Sequence, residues 1–132
     1  MEKSLQKLVR GRANNRCEYC GVSQKDDPFY ALQIDHIIAE QHGGGTFAGN
    51  LCLSCFRCNV HKGPNVAGID PLTKKLTPLF NPRHHKWHYH FRIEGAYIIG
   101  LTAIGRTTVR VLAMNHSDAV ALREALLDEE GR

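Results

Sequence analysis

"LCLSCFRCNVHKG", residues 51–63, packs three local signals into thirteen positions. Leu51–Leu53 is apolar and reads as a short strand. Cys55-Phe-Arg-Cys58 is a turn able to present two thiolates to one ion, and Ser54–Lys62 reads as a short helix stopped by Gly63-Pro64. Upstream, Cys17-Glu-Tyr-Cys20 repeats the spacing, with residues 21–54 between the two pairs. Two such turns complete a tetrahedral four-sulfur shell, the pattern of a structural Zn²⁺ held by Cys17, Cys20, Cys55 and Cys58. The competing reading is a redox pair or unlinked buried thiols. Cys52 is the odd fifth cysteine, either a small core residue or a replacement ligand.

Between the turns lies "LQIDHIIAEQHGGG", residues 32–45. Tyr30–Ile38 reads as a strand, and "QHGGGTFAGN" (41–50) as a loop, because three consecutive glycines stabilise neither strand nor helix. The order is therefore strand, glycine loop, strand, helix. A carboxylate inside the apolar run at Asp35 is costly to desolvate unless a cation binds it. Asn59, directly after Cys58, offers a hard amide oxygen, and the two oxygens suit Mg²⁺, Mn²⁺ or a similar divalent ion. His36 is then free to act as general base near pH 7. Neighbours on a regular strand point to opposite faces, so convergence of Asp35 and His36 requires the strand to end or bulge at Asp35–Ile37. His61 is an alternative third ligand, but two residues along a helix is about 200° of rotation, so it and Asn59 do not readily reach one ion.

The rest of the chain bounds the class. At 132 residues, 42% hydrophobic and 23% charged, it suits one globular domain that gains from an extra staple. No apolar run reaches the roughly 18 residues of a membrane span, and the N-terminus lacks a signal-peptide core, so a cytoplasmic protein is expected with no membrane partner. The net charge of +4 is uneven. Residues 1–16 carry Lys3, Lys7, Arg10, Arg12 and Arg16 against Glu2, and residues 57–92 carry seven basic side chains against Asp70 alone. The end from Ser117 reverses sign. This spread suits a polyanion on one side, or simply a solvated surface.

Lys3–Asn14 reads as an amphipathic helix. Residues 65–83, with Pro71, Pro78 and Pro82, read as an ordered surface excursion. His88–Ile93 and Ala96–Leu101 flank Glu94-Gly95 as a hairpin. Residues 106–114 fit helix or strand, with helix preferred, and Ser117 is a candidate N-cap for a last helix. His84, His85, His88 and His90 near Trp87 suggest either a metal or base-stacking group, or a polar surface over a packed aromatic. His42, beside the glycines, reads as a plain loop residue.

Asp35-His36, Gly43-Gly44, Asn50-Leu51 and "CFRCNVHK" together resemble the HNH endonuclease family in its ββα-metal (His-Me finger) form with a four-cysteine zinc site. The resemblance covers roughly residues 12–63 and ends in Asn59 where the name's last letter is His. It implies an α+β fold with a basic N-terminal helix (1–16), a zinc-stapled core (17–63) and a C-terminal α/β extension (64–132), similar to stand-alone microbial or phage members. It further implies that Asp35 and Asn59 bind the catalytic metal, that His36 activates water, that Asn50 holds the loop and orients the histidine, and that Lys62 contacts phosphate. Arg57, Arg83, Lys86, Arg92 and Arg106 are further candidates for backbone phosphate contacts. The implied reaction is metal-assisted hydrolysis of a DNA phosphodiester, most simply a nick in a duplex, with a homodimer needed to cut both strands at once. The alternative is a zinc-stapled nucleic-acid-binding module without catalysis. Such a module gains little from an acid, a base and an amide kept together. A protein-interaction domain would explain the cysteines but not Asp35-His36.

Overall fold

The computed structural model describes residues 1–27 and 30–130. Helix α1 (Lys3–Arg12) leads into the first cysteine turn, and strand β1 (Gln33–His36) pairs antiparallel with β2 (Leu51–Ser54) before helix α2 (Phe56–Lys62). Then follow β3 (Ala67–Ile69) paired with β4 (Leu76–Pro78), a single helical turn α3 (Trp87–His90), β5 (Phe91–Glu94) paired with β6 (Tyr97–Gly100), and helices α4 (Ala103–Val111) and α5 (Ser117–Glu129). Among the described residues, three separate two-stranded sheets and the helices make an α+β fold. No helix among the described residues is long and apolar enough to cross a membrane.

One core joins the segments. Val9 of α1, Leu32, Leu51 and Leu53 around the first hairpin, Leu79 and Phe80, Phe91 and Ile98 of the last hairpin, and Leu112 and Met114 after α4 are buried in one cluster with four of the cysteines. Each fully buried aliphatic contributes roughly 1.5–3 kcal/mol. Arg12 at the end of α1 donates to the carbonyls of Ala48 and Leu51, both at 2.6 Å, so the helix also clips the chain entering β2.

Local chemistry corrects several expectations. The region 65–83 contains a β3–β4 hairpin rather than a plain excursion, its strands only three residues long and one ending at Pro78. It is anchored by the fully buried Asp70, whose carboxylate accepts two bonds from Arg106 of α4, at 3.0 and 2.9 Å, and others from Leu72 N–H and the Thr73 hydroxyl. These donors hold the Asp70 carboxyl well below the usual carboxylate range. The last hairpin starts at Phe91, because residues 87–90 coil into α3. The last helix is capped by His116, whose Nδ1 accepts from Asp118 N–H, and Ser117 is its first residue.

Candidate active site

The cysteine site is built from two turns of one design. In the first, Cys20 N–H points to Cys17 Sγ at 3.5 Å; in the second, Cys58 N–H points to Cys55 Sγ at 3.4 Å, with Cys55 capping α2. The four sulfurs lie within 4.8 Å of one another, and those of Cys20 and Cys55 are 3.7 Å apart. A tetrahedron with Zn–S bonds of about 2.3 Å has sulfur edges of about 3.8 Å, so the cluster fits zinc. Burial pushes the Cys17 thiol up, but hydrogen bonding with Cys20, Cys55 and Cys58 outweighs it and brings the thiol well below its ordinary range, while hydrogen bonding to Cys17 raises Cys20 and Cys58, so the cluster gathers its negative charge on one sulfur. Cys52 is not in the cluster. It is fully buried against the Tyr19 hydroxyl, and burial raises its thiol to about 12, a core residue rather than a ligand.

Glu18, inside the first turn, was not singled out from sequence. Its N–H donates to Leu53 O at 2.8 Å and its carboxylate accepts Leu53 N–H at 2.9 Å, so the turn grips β2 directly. Its second oxygen pairs with Arg83. A Glu between two cysteines reads as surface charge until the strand it grips is known.

The β1–β2 register pairs Asp35 with Cys52 and His36 with Leu51. No bulge interrupts the ladder; the strand simply ends at His36, while Ile37 N–H still reaches Asn50 O at 2.8 Å. By the two-residue alternation, Gln33 and Asp35 share one face. Helix α2 lies on that face, since Asn59 Nδ2 donates to Gln33 Oε1 at 2.9 Å, leaving the amide oxygen of Asn59 for another role. The Asp35 Oδ2 atom is buried without a hydrogen-bond partner. Burial raises the Asp35 carboxyl, while Lys62 and the His36 N–H oppose the rise. His36 is at the strand end, its Nε2 2.8 Å from the Thr46 hydroxyl and 3.6 Å from Glu40.

Asn50 locks the glycine loop. Its Oδ1 accepts Ile38 N–H at 2.9 Å, and its Nδ2 donates to the carbonyls of Ile38 at 3.0 Å and Gly45 at 2.8 Å. Gly44 lies so close that an added Cβ would sit 1.8 Å from Ile38 O and 2.9 Å from Asn50 Nδ2. Gly44→Ala is therefore expected to cost roughly 1–3 kcal/mol, or more if the Asn50 bonds are lost, because the obstacle is backbone. Thermal melts of the variant and the parent measure it; an unchanged Tm would contradict the close approach.

Several candidate contacts fall elsewhere. Lys62 is not available for phosphate: it is 2% exposed, and its ammonium donates to Ile37 O at 2.9 Å, tying α2 to the end of β1. Arg83 is committed to Glu18, and Arg57 faces Asp118 at 3.4 Å. Lys86 is exposed. His61 is exposed on α2, away from Asn59's contact with β1. Only two of the four histidines meet: the rings of His85 and His90 lie 5.2 Å apart against Phe80, with His85 Nδ1 accepting Asn81 N–H and His90 bonding Thr102, whereas His84 and His88 are exposed. Among the described residues, the four cysteines are the one group of three or more thiol, imidazole or carboxylate donors close enough for a single ion.

This ββα unit, with its cysteine cluster and locked loop, coincides with a family match: residues 17–65 fit the family model described as HNH endonuclease. The segment is an HNH endonuclease domain. The chain is also similar to the Septu protein PtuB of Bacillus thuringiensis, 26% identical over 117 residues, which cover 87% of this chain and 42% of that protein. The chain thus spans less than half the length of the curated relative it matches. No solved structure matches it. The family whose model it fits is one of endonucleases, enzymes that cleave nucleic acid.

Proposed function

We propose that this protein is a divalent-metal-dependent endonuclease that hydrolyses DNA phosphodiester bonds, with Mg²⁺ or Mn²⁺ on Asp35 and Asn59 and with His36 as general base. The observation that carries the reading is the orphaned Oδ2 of Asp35. A buried oxygen without a partner costs roughly 1–3 kcal/mol, a cost that a bound cation removes. The Asn59 amide oxygen supplies the second hard donor from the helix packed on the same strand face. Asn59 is favoured over His61 because it touches β1 there. When bound, such an ion stabilises the charge that develops on the phosphate and on the leaving oxygen.

The chain's own residues do the remaining work. His36 accepts the proton of the attacking water on Nδ1, the ring nitrogen left open and unprotonated when Nε2–H donates to the Thr46 hydroxyl. Asn50 holds the loop that carries Thr46, and Lys62 fixes α2 against β1, so the loop and the helix are set before substrate arrives. Double-stranded DNA is the expected partner, with Lys86 left as an exposed candidate for a phosphate contact. One site cuts one strand; a homodimer is required for a concerted double-strand break. A cytoplasmic setting suits thiolate ligands that must stay reduced.

The test is plasmid cleavage by zinc-loaded protein with Mg²⁺, Mn²⁺ or EDTA, beside Asp35→Ala. Metal-dependent conversion of supercoiled to nicked circles is expected, and it is lost in the variant at metal concentrations that saturate the parent. A zinc-loaded protein that shifts DNA on a gel but cuts it with neither metal would instead be a binding module.

A further inference from the structure

Phe47 is 58% exposed in the loop between β1 and β2. A lone exposed phenylalanine needs no explanation, but this ring is seated between two glycines. An added Cβ on Gly45 would lie 3.1 Å from Cδ1 and Cε1 of the ring, and one on Gly49 would lie 3.1 Å from Cε2 and 3.4 Å from Cδ2. The two glycines thus hold opposite edges of the ring, and side chains there would crowd it. The backbone beneath is equally fixed. Gly45 O accepts from Asn50 Nδ2, Phe47 O accepts Asn50 N–H at 2.9 Å, and Ala48 O accepts from Arg12. The preceding residue, Thr46, touches His36 Nε2. The chain therefore presents a bare aromatic ring on an anchored backbone, one residue from the group that contacts the candidate base.

We propose that Phe47 is a stacking platform for a nucleobase of the substrate strand beside the scissile phosphate, and that the preferred DNA, within a duplex or as a single strand, is one whose base at that position is unpaired or readily unstacked. This deepens the endonuclease reading and rests on it. A fixed ring stacks on any base without ordering cost of its own, and base–aromatic stacking is tolerant of sequence. Continuity with the His36 loop favours nucleic acid over a protein partner as the occupant. The three glycines of 43–45 and Gly49 then serve two ends: closing the loop on Asn50 and making room for the ring.

The experiment measures binding without cleavage. Fluorescence anisotropy in Ca²⁺ buffer compares wild type, Phe47→Ala and Phe47→Trp on a single-stranded thymidine oligonucleotide, on the same strand with one abasic site moved along it, and on a fully paired duplex. Phe47→Ala is expected to bind the intact single strand about tenfold more weakly, Phe47→Trp to restore binding, and the alanine penalty to vanish at one abasic position. Equal binding by wild type and Phe47→Ala, both with one zinc per chain, overturns the platform while leaving the nuclease reading standing. A penalty unchanged by every abasic position also overturns it, since the ring would then act through the fold. Wild type that binds no nucleic acid and cuts none overturns both.

Discussion

His36→Ala is expected to lower nicking by about 10²- to 10⁴-fold, the span of a positioned general base, while zinc content and DNA binding stay at the parent's values. The separation of these readouts follows from where the side chain sits. His36 ends β1, its ring contacts are with Thr46 and Glu40, and its ladder partner Leu51 is engaged through the backbone. Truncation therefore leaves the β1–β2 pairing, the Asn50 bonds and the cysteine cluster in place. Asp35→Ala removes the same activity by a different route, through metal affinity, and excess Mn²⁺ tells the two apart: it partly rescues a weakened metal site but not a missing base. Full activity in His36→Ala, with normal product forms, would remove His36 from the chemistry and turn attention to a water activated by the metal alone.

What could be read from sequence follows the range of the forces involved. The CxxC pairs, the helix after Cys55 and the strand carrying Asp35-His36 are local patterns, and a four-sulfur shell allows few arrangements of the chain around it. Cation roles were the opposite case. Lys62, Arg83 and Arg57 all look like phosphate contacts from charge alone, yet Lys62 caps the Ile37 carbonyl and Arg83 pairs with Glu18, 65 positions away. A long amphipathic side chain goes where its stem packs and its head finds a partner, and neither is visible in its neighbours in sequence. The β3–β4 hairpin was missed for a related reason. Its strands are too short for an alternation signal, and Asp70 with Arg106 holds it from outside the segment.

The loss of zinc is expected to have a larger effect than any change in the loop. Zinc-finger-type sites contribute roughly 10–16 kcal/mol at neutral pH, against a net stability of roughly 5–15 kcal/mol for whole domains, so the metal-free chain lies on the unfolded side. The structure gives this comparison its physical content here. Cys17 and Cys20 follow α1, whereas Cys55 and Cys58 lie at the start of α2, so an ion held by all four would tie both helices to the β1–β2 hairpin. Without it, four mostly buried sulfurs face one another with no ion between them, next to the Arg123 guanidinium. Burial lowers the half-buried Arg123 guanidinium while Cys20, Cys58 and Cys55 raise it, and it is held by the carbonyls of Ala96 and Met114. Cys17→Ala is therefore expected to yield a chain with no bound zinc and no cooperative melt. Cys52→Ala, in contrast, should keep one zinc per chain and lower the Tm only by the loss of a small buried side chain, because its sulfur faces Tyr19 instead of the cluster. Zinc stoichiometry and circular dichroism melts of the two variants decide it. A folded, zinc-free Cys17→Ala would show that the hydrophobic cluster from Val9 to Met114 suffices alone, and a zinc-free Cys52→Ala would move the ligand set by three residues.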